Sequence, residues 1–90
     1  MIENGETPEI YKDYILQKLR EKGCRITRQR ELILDVILEN EFSSCKELCF
    51  YVEKLNKNIG QATVYRMVNT LEEIGVINRK SIYISKNILK

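Results

Sequence analysis

Four runs of apolar residues spaced three and four apart, all within ninety residues, constrain this chain more than any other feature. A helix turns about 100° per residue, so such spacing gathers side chains into one stripe that must be covered. Ile10, Tyr14, Ile15 and Leu19 form the first stripe. Leu32, Ile33, Val36 and Ile37 form the second, widened by Leu34 and Leu38. Leu48, Val52 and Leu55 form the third, and Val64, Met67, Val68, Leu71 and Ile74 the fourth. A chain of this length cannot divide its apolar residues between two cores and keep both stable. The four stripes are therefore expected to face one another in one domain.

The residues between the stripes mark where each helix starts and stops. Thr7-Pro8-Glu9 has the order N-cap, proline at the first helical position and acid in the first turn, and Gly23 is placed to end the element through a left-handed cap. Thr27 caps the second helix, which ends near Asn40. Ser44 and Glu47 have capping-box spacing, in which each side chain bonds the other residue's backbone N–H, and open a third helix from Cys45 to about Asn56. The turn formers Asn56 to Gly60 follow. The stretch from Ile59 to Gly75 carries the fourth helix, stopped by Gly75. Val76 to Lys80 and Ser81 to Ser85 are rich in β-branched residues and alternate in part, as two short antiparallel strands do. The expected fold is mainly α: a winged helix-turn-helix of four helices and a short two-stranded antiparallel hairpin. It should occupy residues 7–85, between a flexible lead-in at 1–6 and a tail at 86–90.

Apolar residues at 43% and charged residues at 31% are those of a globular chain. No run approaches the roughly 20 apolar residues of a membrane span. Glu3, Glu6 and Glu9 stand where a secretory leader carries basic residues, so a cytoplasmic protein with no membrane partner is expected. The net charge of +2 does not imply a nucleic-acid partner, but the arrangement of charge is uneven. Residues 18–30 hold Lys18, Arg20, Lys22, Arg25, Arg28 and Arg30 against the single acid Glu21, whereas residues 31–60 hold six acids against three lysines. A solvated surface or a nucleic-acid footprint accounts for such a cluster.

The fourth stripe also determines what its helix exposes. Ala62, Arg66 and Asn69 point nearly opposite to it, Tyr65 lies at its flank, and Gln61 and Ala62 stand at the amino-terminal end. A helix in the DNA major groove needs small residues for close approach, a cation for phosphate or guanine, amides for base edges and an apolar surface for thymine methyls. This face supplies them, and Glu72 and Glu73 sit at the far end. An ordinary solvated amphipathic helix accounts for the same Arg, Asn and Gln, with the exposed Tyr65 weighing toward function.

With these residues in place, the sequence resembles the amino-terminal domain of the ferric uptake regulator family. The resemblance rests on Arg25-Ile26-Thr27 with Arg30, on Ser44 with Leu48, on Ile59-Gly60-Gln61-Ala62-Thr63-Val64-Tyr65-Arg66, and on Leu71-Glu72-Glu73-Ile74-Gly75-Val76-Ile77. It covers about residues 16–84. It implies that Tyr65 contacts a base, Arg66 grips phosphate and Arg25 reaches a minor groove, with Thr27, Arg28 and Arg30 near phosphates. With Gln61, Ala62, Thr63 and Asn69 on the helix and Arg79 and Lys80 in the wing, these are the candidate DNA-binding residues. The partner so implied is double-stranded DNA, AT-rich and palindromic.

The departures are specific. Family members respond to metals through histidines, acids and paired cysteines, but this chain has no histidine; Glu41 and Phe42 occupy the neighbourhood of the histidines expected before the third helix. The family's C-terminal dimerisation and metal-binding domain, with its C-x-x-C pairs, has no counterpart in these residues. No metal or other cofactor is expected. Lys80-Ser81 leaves almost no loop at the wing tip. Cys24, Cys45 and Cys49 read as free thiols, Cys45 as a small core residue and Cys49 as less determined, with thiol redox sensing a remaining option. Without histidine no Cys–His or Ser–His pair exists, and no phosphate-cradling glycine loop is present, so an enzyme is not expected.

Three functions compete. The first is a sequence-specific DNA-binding transcriptional regulator without its own metal-sensing domain. The second is a protein-interaction module that kept the fold without reading DNA, suggested by Phe50, which falls opposite the third stripe; Phe42, Tyr51 and Ile88-Leu89 extend that apolar contact, and the partner is a second copy or another protein. The third is the DNA-binding part of a longer metal-responsive repressor.

Overall fold

A computed structural model describes residues 8–78 and 81–84. Four helices and a hairpin follow one another: α1 (Pro8–Glu21), α2 (Arg28–Glu39), α3 (Cys45–Leu55), α4 (Gln61–Glu73), β1 (Ile77–Asn78) and β2 (Ser81–Ile84). The expected element order is observed. Thr7, the lead-in, Arg79, Lys80 and the tail from Ser85 lie outside the described residues.

Two of the four helices end in the same way, and for the same reason. At α1, Gly23 takes φ +94° and the N–H groups of Gly23 and Cys24 donate to the carbonyls of Arg20 and Leu19, both at 2.9 Å. At α4, Gly75 takes φ +81°, with Gly75 donating to Glu72 at 3.0 Å and Val76 to Leu71 at 3.1 Å. Each is a left-handed cap that satisfies carbonyls the helix itself leaves open. At α4 the residues bonded across the cap, Leu71 and Val76, are both buried, so the stop also drives the chain back into the core.

Helix α2 is the centre of the molecule. It packs against α1, α3, α4 and β2, and α4 in turn packs against α3 and β1. The core between them includes Ile15, Leu19, Ile33, Leu34, Ile37, Leu48, Val52, Val64, Val68, Leu71 and Ile82, all fully enclosed. Among the described residues no polar or charged side chain is buried, so the interior is held by apolar burial and close packing. Lys12 ties α1 to α2 at the surface, with its ammonium 2.8 Å from Glu31 and 2.9 Å from Asp35.

The hairpin starts one residue later than the sequence suggests. Val76 closes the α4 cap, so β1 starts at Ile77, and its pairings with β2 are Ile77 with Ile84 and Asn78 with Ser81, with an irregularity between them. In β2, Ile82 and Ile84 are buried and Tyr83 is exposed, as strand alternation requires. Phe42 adds a third rung: its N–H donates to the Ile82 carbonyl at 3.0 Å, and the Ile82 N–H donates back at 2.7 Å. The sequence offers Phe42 as a surface contact, but it is buried. A single extended residue in a short connection has no periodicity by which to be recognised.

Four further readings are corrected. Ile10 is exposed, and α1 buries Tyr11, Ile15, Leu16 and Leu19 instead. Tyr11, Ile15 and Leu19 form an i, i+4, i+8 line, and Ile10 stands one residue, about 100°, off it. Leu55 is 54% exposed because α3 stops there, capped by the Asn56 N–H on the Val52 carbonyl, and the core instead takes Ile59 beyond the turn. The Ser44 hydroxyl does accept from the Glu47 N–H at 3.2 Å, but the Glu47 carboxylate accepts from Ser43, at 2.9 Å, rather than from Ser44. Finally, Cys49 is buried and Cys45 only half-buried: Cys49 shares the inner face with Leu48 and Val52, while Cys45 sits at the open start of the helix.

Two outcomes are expected. Gly75→Ala meets no atom within 4 Å but must adopt the left-handed conformation, which costs an L-residue about 1–2 kcal/mol, measurable by urea unfolding. The Lys12 pair holds the Glu31 carboxyl below its ordinary value of 4.5. A lowered carboxyl stabilises the fold above that value and loses the contribution as pH falls through the folded pKa. Stability should therefore drop on acidification below 4.5 in wild type and drop less steeply in Lys12→Met; identical acid limbs would remove the role of the pair.

Candidate nucleic-acid interface

The apolar stripe of α4 is enclosed at Val64, Met67, Val68 and Leu71, which forces the rest of the helix outward. Gln61, Ala62, Tyr65, Arg66 and Asn69 are exposed, and Tyr65 keeps 43% of its surface. Gly60 is the N-cap, and no side chain caps this end of the helix, whose first turn contains no acid. The positive end of the helix dipole is thus neither screened nor neutralised from within the helix. At the other end Glu72 and Glu73 are exposed, and Glu73 is paired with Lys22 at 3.3 Å.

The amino-terminal ends of α2 and α4 meet at the surface in a groove lined by Arg25, Thr27, Gln29, Arg30, Thr63 and Arg66. Residues far apart in sequence are here brought to one place. The entry into α2 is built by two contacts: the Thr27 hydroxyl accepts from the Arg30 N–H at 3.1 Å, and the Arg30 guanidinium donates to the Arg25 carbonyl at 2.6 Å. Thr27 and Arg30 therefore shape the loop that presents Arg25, besides facing the groove themselves. Arg28 is exposed, and Thr63 is half-buried at the junction between α4 and the groove.

The groove lining carries three arginines and no acid. The acids Glu31 and Asp35, further along α2, are both occupied by Lys12. Gln29 is the one lining residue that sequence reasoning missed; its place between Arg28 and Arg30 was the available signal. Arg79 and Lys80, the candidate wing contacts, lie outside the described residues.

The described residues assemble no group of three or more His, Cys, Asp or Glu side chains able to hold a metal ion. The Cys49 thiol is pushed above its ordinary value chiefly by burial, with its hydrogen bond to the Cys45 thiol acting the other way.

The ferric uptake regulator family model matches residues 21–88 of this sequence. The chain belongs to the ferric uptake regulator family. Curated members similar to it include the ferric uptake regulation protein of Brucella suis, 39% identical over 64 residues, covering 70% of this chain and 45% of that protein. The ferric uptake regulation protein of Bacillus subtilis is 35% identical over 69 residues, covering 74% and 46% respectively. Among solved structures, GAS PerR-Zn-Zn superposes with a TM-score of 0.68 at 28% identity, over 74% of this chain and 43% of the other. The chain spans about half the length of the curated relatives it matches. The winged helix-turn-helix architecture is thus shared with a family member of known structure, and α4 and the groove both lie within the matched residues.

Thiol reactivity provides a check on the corrected cysteine assignments. Alkylation of the native chain near neutral pH should modify Cys24 and Cys45 before Cys49, because burial both shields Cys49 and disfavours its thiolate. Peptide mapping that finds Cys49 labelled first would place it at the surface.

Proposed function

We propose that this chain is a sequence-specific DNA-binding transcriptional regulator, with α4 reading the major groove. The observation that carries the reading is the continuity of the exposed α4 face with the arginine-lined groove at the start of α2. Phosphate contacts position a protein on a duplex and base contacts specify the site. The two surfaces divide along that line. Tyr65 meets a base, where its ring suits a thymine methyl, and Gln61, Asn69 and Ala62 line the approach to base edges. Arg66, Thr63, Thr27, Arg28 and Arg30 hold phosphates, and Arg25 enters the adjacent minor groove. Arg79 and Lys80 add phosphate contacts from the wing.

Family membership supports the reading, since the curated relatives are regulation proteins. The operator is AT-rich, because a narrow minor groove concentrates the negative potential that draws in an arginine. It is palindromic, so that two copies engage two half-sites. Regulation here needs no catalysis and no bound cofactor, and the protein acts in the cytoplasm; no helix among the described residues is long and apolar enough to cross a membrane.

Titration of AT-rich and random duplexes at two salt concentrations tests this. With about five phosphates neutralised, log K should fall against log salt with a slope near −4 to −5. Tyr65→Ala should reduce discrimination among sequences, by about 1–3 kcal/mol at one position, whereas Arg66→Ala should weaken binding to all of them and lower the salt slope by about one. Binding indifferent to salt, or equal losses on every sequence for both variants, would sink these assignments.

A further inference from the structure

The outer face of α3 holds the most exposed aromatic side chain among the described residues, Phe50 at 61%, beside Tyr51 at 40%. Neither belongs to the α4 face or the arginine-lined groove. Glu47, Phe50, Tyr51 and Lys54 stand at i, i+3, i+4 and i+7, one continuous stripe opposite the buried Leu48, Cys49 and Val52. All four are exposed. The Tyr51 ring is held in place by an edge-on contact with Phe42, with centroids 5.5 Å apart and planes at 64°. Beside the stripe is a hollow walled by Phe42, Phe50 and Tyr51 and rimmed by Glu41, Glu47 and Lys54.

We propose that this face docks a second copy of the same chain, α3 against α3 in antiparallel alignment. The order of the four residues selects that occupant. A two-fold axis between Phe50 and Tyr51 sets each Glu47 against Lys54 of the second copy and each Phe50 against the other's Tyr51. The stripe is therefore complementary to itself, as a two-fold interface requires. Parallel alignment sets Glu47 against Glu47 and Lys54 against Lys54, and is disfavoured by both. An acidic or a basic partner satisfies only one end of the stripe. The hollow gives the partner's Phe50 a seat between fixed rings, the arrangement in which an aromatic anchor contributes most. Glu47 can serve both tasks: one oxygen, Oε1, takes the Ser43 N–H, and the other remains to meet a lysine.

The contact is built around one helix pair and so falls short of the roughly 1,200 Å² of a standard stable interface. The dimer is accordingly weak and forms in the micromolar to millimolar range. It lies on the side of α3 turned away from the core, so it stands or falls independently of the DNA reading.

Sedimentation equilibrium of the full ninety-residue chain, from about 10 μM to about 1 mM, tests the proposal. The weight-average mass of wild type should rise toward twice the monomer, and Phe50→Glu should hold it at the monomer. Glu47→Lys and Lys54→Glu should each be monomeric alone, with four like charges facing one another, and should recover the dimer when mixed in equal amounts. Circular dichroism checks that each variant is folded. Should Glu47→Lys lose helicity with its contact to Ser43, Phe50→Glu and Lys54→Glu carry the test, since neither is part of a cap. A wild type that stays monomeric throughout, a dimer that survives Phe50→Glu, or folded charge variants that fail to associate on mixing would each overturn it.

Discussion

The burial of one stripe of α4 against α2 and α3 is the constraint on which the rest of this protein depends. Val64, Met67, Val68 and Leu71 are all enclosed, and their enclosure leaves α4 one rotation about its axis. Turning the helix by one residue, about 100°, would bring Tyr65 and Glu72 one way, or Thr63 and Thr70 the other, into an interior that holds no buried polar side chain among the described residues. The orientation of the exposed α4 face is thus a by-product of hydrophobic packing. No polar contact is needed to aim Tyr65 outward.

Polar interactions do their part at the edges of this arrangement. Thr27, Arg30 and the Arg25 carbonyl form a small hydrogen-bonded unit that starts α2 and shapes the arginine-bearing loop. Lys12 and Lys22 each draw acids away to the sides, Glu31 and Asp35 in one case and Glu73 in the other. A chain with a net charge of only +2 can in this way offer a groove lined by three arginines and no acid. Local charge rather than total charge is what a phosphate backbone meets. Of the two cysteines on α3, one lies in the core and one at its edge.

Much of this was legible in the residues. Helix stops at Gly23 and Gly75 could be read because glycine alone tolerates positive φ without strain, and both take it. The outward set on α4 could be read because five apolar positions define one direction on a regular helix. Other features had no such signal. Leu55 matches the α3 stripe by spacing, yet it is exposed, because the spacing records which way a side chain points and not whether another element arrives to cover it. Cys45 and Cys49 share a face, and only the end of the helix distinguishes the buried thiol from the half-buried one. Phe42 pairs with Ile82 across forty residues, a contact that no local pattern contains.

The family, the order of the elements, the rotation of α4 and the identity of its exposed residues were determined by sequence alone, because each depends on local periodicity or on a contiguous motif. Tertiary structure decided the rest: the third rung at Phe42, the burial of Cys49 with Cys45 left at the core's edge, and the groove that joins Thr63 and Arg66 to Arg25, Thr27, Gln29 and Arg30. These depend on which helix ends meet in space. That is settled only when four apolar stripes compete to bury one another around α2, and the lowest free energy belongs to the packing as a whole rather than to any one segment.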